Sequence, residues 1–458
     1  MARLLVTLML VVGLIGFAGG RTPLAAQTPG TAQAQPGRPI TLAEALALAA
    51  QHNHSLRVAA FEVTVARSQA NQAEALRRGL LTLGATYTRI NERAGSTIVI
   101  PPIPGITPSP ITITLPPPDP NIYSVGLTYQ VPLISGGRNE AQLALAQANL
   151  RGAEAALERV KQQLVLEVRQ AYFSVLLAQA GLEVAQRTVA AAEENLRVAR
   201  ARVAAGVSPR FDEVQADVNL ANARQGLIRS RNSLALALHG LNAVMAQPLD
   251  TVWQPREVMT VTPVRSDLAA LLRRALEARP EVAELRARLA AAQAAIELAR
   301  AGTRPTVALQ ASGAYGNSTG TTASTAAAAG WSVTLAATLT LFDGNLTGER
   351  IREAEARVQQ LQVTEAQLRA GIELEVRRAV LTVAAAAEEV ATAEATIAQA
   401  QEGFRIATVR FAAGVSTNLE VVQAQAALSL AEANRIQALF NLNAARAQLE
   451  RAVGGPVE

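Results

Sequence analysis

Cysteine is absent from all 458 residues. A disulfide framework, a thiolate metal site and a cysteine nucleophile are therefore excluded. Histidine is nearly absent, and His52, His54 and His239 are too scattered for a histidine metal site. On a helix His52 and His54 would point to different faces. Aromatic residues make up only 3% of a chain that is 50% hydrophobic. Lysine occurs once, at Lys161. Past the N-terminus no stretch supplies the ~18 lipid-compatible residues of a helical membrane span. No paired carboxylates converge with a nucleophile. No enzyme signature is found, and no catalytic residue, metal or cofactor is assigned.

What is present in quantity is alanine, leucine, arginine, glutamate and glutamine, the composition of long helices and coiled coil. Basic residues number 42 against 37 acidic, a formal charge of +5. Arg3 and Arg21 precede the expected cleavage site, and without them the balance is 40 against 37. Arg and Glu are interleaved, the pattern of solvated helix faces. No basic stripe with interleaved aromatics argues for a nucleic-acid partner.

The N-terminus reads as a secretory signal peptide over residues 1–26. Arg3 is followed by an apolar run from Leu4 to Phe17, then small residues and Leu24-Ala25-Ala26 before Gln27. No cysteine follows that run, so lipidation is not expected. Residues 27–40, rich in Pro and Gln, read as a flexible lead-in.

The remainder repeats once. Leu42-Ala43-Glu44-Ala45-Leu46 aligns with Leu268-Ala269-Ala270-Leu271-Leu272 at an offset of 226, which also carries Arg78 onto Arg304 and Leu83 onto Leu309. From Tyr123-Ser124-Val125 onto Trp331-Ser332-Val333 the offset becomes 208. It holds for Glu167-Val168-Arg169 onto Glu375-Val376-Arg377, and for Ala204-Ala205-Gly206-Val207-Ser208 onto Ala412-Ala413-Gly414-Val415-Ser416. The first half thus carries 18 extra residues between Arg89 and Tyr123. A duplication predicts two-fold pseudo-symmetry. The repeats are expected at 41–247 and 266–455, joined by a linker at 248–265.

Each half opens with one helix, from Thr41 to about Arg77 and from Asp267 to about Gly302, with Thr41 and Asp267 as caps. Two alternating stretches follow, in predicted β-hairpins at 81–132 and 305–342. Leu81, Leu83, Ala85 and Tyr87 face one way, Thr82, Gly84, Thr86 and Thr88 the other. Tyr123, Val125, Leu127, Tyr129 and Val131 oppose Ser124, Gly126, Thr128 and Gln130. In the second half Val307, Leu309 and Ala311, then Trp331, Val333, Leu335, Ala337 and Leu339, supply the apolar side. Alternation at period two suits membrane strands with one apolar face. Nine of the chain's 21 prolines fall between Pro101 and Pro120, which predicts a loop without regular structure. Asn317 to Gly330 reads as the second loop.

Long helical hairpins follow, at 139–246 and 348–453. Leu143, Leu150, Leu157 and Leu164, with Ala146, Ala153 and Val160 between them, form a heptad seam. Gly206 and Gly414 stand where a left-handed residue ends a helix. Ser208 and Ser416 follow as cap candidates, and Pro209 suits the first turn of the returning helix. Four strands cannot close a barrel alone, and an open edge does not survive in lipid. Other copies of the chain are required.

In these residues the chain resembles the TolC family of outer-membrane efflux and secretion ducts. Leu42-Ala43-Glu44-Ala45-Leu46 with Asn53-His54-Ser55-Leu56 is similar to the family's first-helix signature, and Arg279-Pro280-Glu281-Val282 to its second-half counterpart. Pro132-Leu133-Ile134-Ser135-Gly136-Gly137-Arg138 resembles its strand-to-helix motif, echoed by Leu341-Phe342-Asp343-Gly344. The resemblance implies an α+β membrane protein: a long antiparallel coiled-coil α-barrel, and four strands per chain in a trimeric twelve-stranded β-barrel. It implies a homotrimer in outer-membrane lipid with its helical part in the periplasm. It also implies a periplasmic membrane-fusion adaptor and an inner-membrane transporter as partners. Adaptor docking falls on Ala205, Gly206, Val207, Ala413, Gly414 and Val415. Some members carry an arginine and a tyrosine at the second tip that lock the closed state, where this chain has Ser416 and Phe411. Asp212 and Glu420, with Gln215 and Gln423 one turn on, are the periplasmic gate candidates. Family gate aspartates match Glu420 and Gln423. Thr417-Asn418-Leu419-Glu420 also fits a capping box. The expected function is a passive exit duct for small molecules. The alternatives are a duct for protein secretion or a secreted structural coiled coil.

Overall fold

The structure, a computed structural model, describes residues 37–91, 95–115, 120–261, 267–317 and 328–457. The predicted signal peptide, most of the lead-in and most of the second loop lie outside the described residues.

Two helical hairpins dominate. In the first, α3 (Arg138–Ala204) returns as α4 (Arg210–Val244). In the second, α7 (Leu346–Ala412) returns as α8 (Asn418–Val453). α3 and α7 each have 67 residues, about 100 Å at 1.5 Å per residue. Neither contains proline. The heptad seam faces inward, and Ala146 and Leu164 are buried. Among the described residues no helix is long and apolar enough to cross a membrane.

Each single opening helix of the sequence reading is in fact two. α1 (Leu42–His52) and α2 (His54–Ala75) meet at Asn53. That residue has extended backbone and accepts the Leu56 N–H at 3.1 Å. Its amide also donates to the Val244 carbonyl of α4 at 3.0 Å. α5 (Leu268–Ala278) and α6 (Pro280–Arg300) meet at Arg279. A proline pushes its predecessor out of helical geometry, and Arg279 sits at φ −73°, ψ 129°. Its guanidinium, 4% exposed, donates to Glu281 at 3.1 Å and to Glu375 of α7 at 2.6 Å. Arg451 of α8 reaches the same two carboxylates at 3.3 and 2.7 Å. Burial pushes the Glu281 carboxyl up, but the Arg279 hydrogen bond and the charges of Arg279 and Arg451 pull harder and hold it below the usual range. The expected caps form: Thr41 and Glu44 make a reciprocal capping box, and Asp267 accepts the Ala269 N–H.

The lead-in does not stay irregular to its end. Residues Arg38–Ile40 form β1, paired in parallel with β6 (Trp253–Pro255) inside the predicted linker. The buried Tyr172 hydroxyl donates to the Ile40 carbonyl at 3.2 Å, and Arg38 lies 5.5 Å over the Trp253 ring. Residues 38–40 are thereby held against the middle of α3 and the end of α4.

Strands β2 (Leu80–Arg89), β5 (Asn121–Ile134), β7 (Thr306–Gly316) and β8 (Ala328–Thr338) form one antiparallel sheet in the order β2-β5-β7-β8. β2, β7 and β8, with 10, 11 and 11 residues, match the 9–11 residues of a tilted membrane strand, and β5 with 14 runs beyond it. β8 begins earlier than expected, taking residues 328–330 from the predicted loop. The proline-rich loop is corrected more substantially. Inside it β4 (Ile111–Leu115) pairs with β3 (Ser96–Ile100), which stands just before it. Neither strand contains a proline. The prolines stand at the ends and in the turn between, where no ladder N–H is needed.

Candidate functional site

The sheet and the far tips of the helical hairpins are the two places where the chain presents an arrangement with an evident use. In the sheet, register decides the faces. Leu83 pairs with Leu127, Ala85 with Val125, and Tyr87 with Tyr123. Val125 pairs with Tyr315, Tyr129 with Ala311, and Val131 with Leu309. Leu309 pairs with Leu335, and Ala311 with Val333. Every strand therefore contributes its apolar set to the same face. The opposite face carries Thr82, Thr86, Ser124, Thr128, Gln310, Ser312, Ser332 and Thr334, with hydroxyl pairs Thr86–Ser124 at 2.7 Å and Ser312–Ser332 at 2.9 Å. That face has no charged residue within the paired strands. The apolar face is exposed, with Leu83 at 75% and Trp331 at 83%. Water is the wrong solvent for it, and lipid fits. Tyr87, Tyr123, Tyr315 and Trp331 gather toward one end of the strands, as interfacial aromatics do.

The sheet joins the helices through two elbows. At the first, Gly136 and Gly137 adopt φ +62° and +86°. Arg304 packs close enough to Gly137 that a Cβ there would meet its guanidinium at 2.8 Å. Ser135 donates to Glu140 at 2.8 Å, and that bond holds the Glu140 carboxyl below its usual range. At the second elbow Asp343 accepts the Thr347 N–H at 2.9 Å.

At the tips, Gly206 and Gly414 are left-handed, at φ +72° and +79°. Ala205 and Ala413 end the helices with helical backbone. Val207 and Val415 donate back to the carbonyls of Arg202 and Arg410, and the glycines to those of Val203 and Phe411. This double bond pattern is a Schellman closure. Val207, Phe211 and Val415 project 65–70% exposed at the end of the molecule.

The four gate candidates have unequal surroundings. Asp212 accepts a hydrogen bond from Ser208 at 2.5 Å. Glu420 lies 4.0 Å from the Arg410 guanidinium. Gln423 is exposed, whereas the Oε1 of half-buried Gln215 has no partner among the described residues. The expected capping box at Thr417 does not form. Thr417 makes no side-chain cap bond, and Glu420 turns toward Arg410 instead. Neither serine serves as a cap: Ser208 is spent on Asp212, and the Ser416 hydroxyl is buried without a partner.

Two contacts that tie the halves together were missed in the sequence. Arg202 of α3 donates to the Phe411 carbonyl of α7 at 2.6 Å, and its guanidinium stands 4.7 Å from the Phe411 ring centroid. Asn418 of α8, fully buried, donates to the Asp212 carbonyl at 3.1 Å. Phe411 is thus the floor of a cross-half clasp whose arginine comes from the first tip. Buried Asn195, Asn418 and Gln425 each leave one polar atom without a partner in this region among the described residues.

The sequence model of the outer membrane efflux protein family matches residues 45–247 and 271–455. The cobalt-zinc-cadmium resistance protein CzcC of Cupriavidus metallidurans is 27% identical over 426 residues, covering 91% of this chain and 90% of CzcC. Protein CyaE of Bordetella pertussis is 32% identical over 247 residues, where the match spans 52% of this chain and only 50% of CyaE. Among solved structures, CusC has a TM-score of 0.73 at 21% identity, covering 95% of this chain and 99% of its own.

Proposed function

The chain belongs to the outer membrane efflux protein family, and on that premise we propose that it is the passive exit duct of a tripartite efflux system, trimeric and built from a duplicated half. The observation that carries this reading is the sheet. Its register collects most of the large apolar side chains on one face and mainly small or uncharged polar ones on the other, with Leu80 and Ile122 at the ends of the polar face. Its outer strands β2 and β8 have free edges, which only further copies can fill in lipid. Three copies supply twelve strands. The Thr, Ser and Gln face then lines a neutral, water-filled lumen, and the helical hairpins extend it into the periplasm.

The helical tips are the place for a periplasmic membrane-fusion adaptor, which links the duct to an inner-membrane transporter. Their exposed Val207, Phe211 and Val415 suit a helical partner. Asp212 and Glu420 stand by the entrance as gate residues, with Gln215 and Gln423 one turn on. A signal peptide over residues 1–26 fits an exported chain, and the absence of cysteine fits one that is not lipidated. No chemistry is performed on the cargo.

The test is complementation. A strain lacking its own outer-membrane duct, supplied with this gene and its neighbouring adaptor and pump, is expected to regain resistance to drugs. Because CzcC is named for cobalt, zinc and cadmium resistance, salts of those metals belong in the panel. Restored protein secretion without restored resistance would move the duct to the secretion class. Purified protein that forms no conducting trimer in planar bilayers would defeat both.

A further inference from the structure

The β3–β4 hairpin is the part of the chain that the duct reading leaves unused. It lies between Arg89 and Tyr123, the interval in which the first half is 18 residues longer than the second. Its register pairs Ile98 with Ile113 and Ile100 with Ile111. Alternation therefore puts these four isoleucines on one face and Thr97, Val99, Thr112 and Thr114 on the other. Ile98 is 50% exposed, Ile100 37%, Ile111 46% and Ile113 45%. A lone two-stranded hairpin is marginal in water, and a sheet face this apolar needs a cover.

We infer that the cover is the same face on neighbouring copies. Three hairpins meet by their isoleucines over the outer mouth of the barrel and narrow it with an apolar constriction. This rests on the trimeric duct proposed above. Three observations select a second copy over other occupants. First, the hairpin is carried between β2 and β5, and β2 has the free edge that must pair with β8 of the next copy. The hairpin thus stands beside the seam between copies. Second, residues 95–115 contain no Asp, Glu, Lys or Arg, so copies can converge on an axis without like-charge repulsion. Third, the other connection in sequence between sheet strands at that end, β7 to β8, carries no large apolar side chain. Residues 318–327, between β7 and β8 in sequence, are Ser, Thr, Gly and Ala only. A ring of isoleucines at a pore mouth obstructs polar solutes by excluding water, and opens when the hairpins part.

The cysteine-free chain permits a clean test. Ile98→Cys and Ile113→Cys, each in the full-length protein in native outer membranes, are oxidised and run on non-reducing gels. The expected result is a disulfide-linked dimer from each, with none from Thr112→Cys on the opposite face. Absence of the dimer from both, in protein that native mass spectrometry shows to be trimeric, overturns the inference and leaves the duct intact. Protein that is not trimeric overturns the duct reading as well. A fluorophore on Ile113→Cys that is quenched by brominated lipid places the face on the membrane, and also overturns it. As a second measurement, the quadruple Ile→Ser variant at 98, 100, 111 and 113 is expected to raise inward leak of a bulky hydrophilic antibiotic several-fold. Unchanged leak in trimeric variant protein counts against a constriction.

Discussion

Val333 is the sixth of the eleven residues of β8, and its partner Ala311 is the sixth of β7. If the strands span the membrane, this pair lies near the midplane. Ser332, one residue away, is on the opposite face and bonded to Ser312 at 2.9 Å. An arginine at each position makes a sharp comparison. At Val333 the guanidinium enters hydrocarbon, at a cost of about 2–4 kcal/mol at the midplane. Since 1.4 kcal/mol is a factor of ten, that is roughly 30- to 700-fold in the folding equilibrium of each chain. Three copies compound the effect in a trimer. At Ser332 the guanidinium enters a water-filled lumen, and the loss is one exposed hydroxyl pair, about 0.5–1.5 kcal/mol. Urea titration of refolding into lipid vesicles, read by the heat-modifiable trimer band, measures both. Ser332→Arg is expected to assemble and to shift the channel toward anions, while Val333→Arg is expected to fail or to assemble poorly. Equal losses for the two, or a Val333→Arg protein that assembles normally, would refute the assignment of faces and with it the membrane sheet.

At the tips, a Cβ on Gly206 would meet nothing within 4 Å, so substitution acts through φ alone. Gly206→Val is expected to cost about 1–2 kcal/mol and to reduce adaptor-dependent export with the trimer intact. Gly206→Asn, which tolerates the left-handed region, should retain export. Arg202→Ala removes a charged hydrogen bond and a cation–π contact, about 2–4 kcal/mol together. It is expected to raise single-channel conductance, whereas Arg197→Ala, paired only with Glu194 on the same helix, should leave it unchanged. Glu281 is held below the usual carboxylate range. Its stabilisation is therefore complete above the unfolded pKa of about 4.3 and is lost as pH falls through the lower folded value. Thermal melts from pH 6 to pH 2 should show this acid loss, flattened in Glu281→Gln. Asp212→Asn is expected to reduce cation preference more than Glu420→Gln, as read from reversal potentials.

Much of the fold was legible because it follows from local periodicity. Alternation along the strands reports a surface between two solvents, and the observed register keeps all four apolar sets together. Heptad leucines reported the inward seam of α3. Gly206 and Gly414 reported the helix ends, since a left-handed residue is hard to supply otherwise. The sequence reading failed where a local signal was weak or outvoted. Pro280 marked the break before α6, but the helical periodicity on both sides suggested continuity. Nine prolines concealed β3 and β4 because proline count was weighed over proline position. β1 and β6 pair across more than two hundred residues of chain, a separation that no periodicity records.

The tips show why equal sequence does not give equal chemistry. Asp212 and Glu420 occupy matching positions 208 residues apart, which in a three-fold assembly would make up to six carboxylates. The same offset relates Ser208 to Ser416 and Arg202 to Arg410. Yet Ser208 binds Asp212, while the Ser416 hydroxyl is buried without a partner. Arg202 reaches across to the Phe411 carbonyl, whereas Arg410 turns back onto Glu420. Within one chain the first tip meets the second, but the far side of the second tip has no neighbour in that chain. The cross-half contacts use one side chain from each tip, Arg202 from the first and Asn418 from the second. Glu420 is left beside an arginine, and Asp212 beside a neutral hydroxyl. In a trimer with these intrachain contacts, the mouth would carry alternating sites: three carboxylates with a cation 4.0 Å away and three without one. Cation preference at such an entrance would then be expected to rest mainly on Asp212, which the reversal-potential comparison of Asp212→Asn with Glu420→Gln measures.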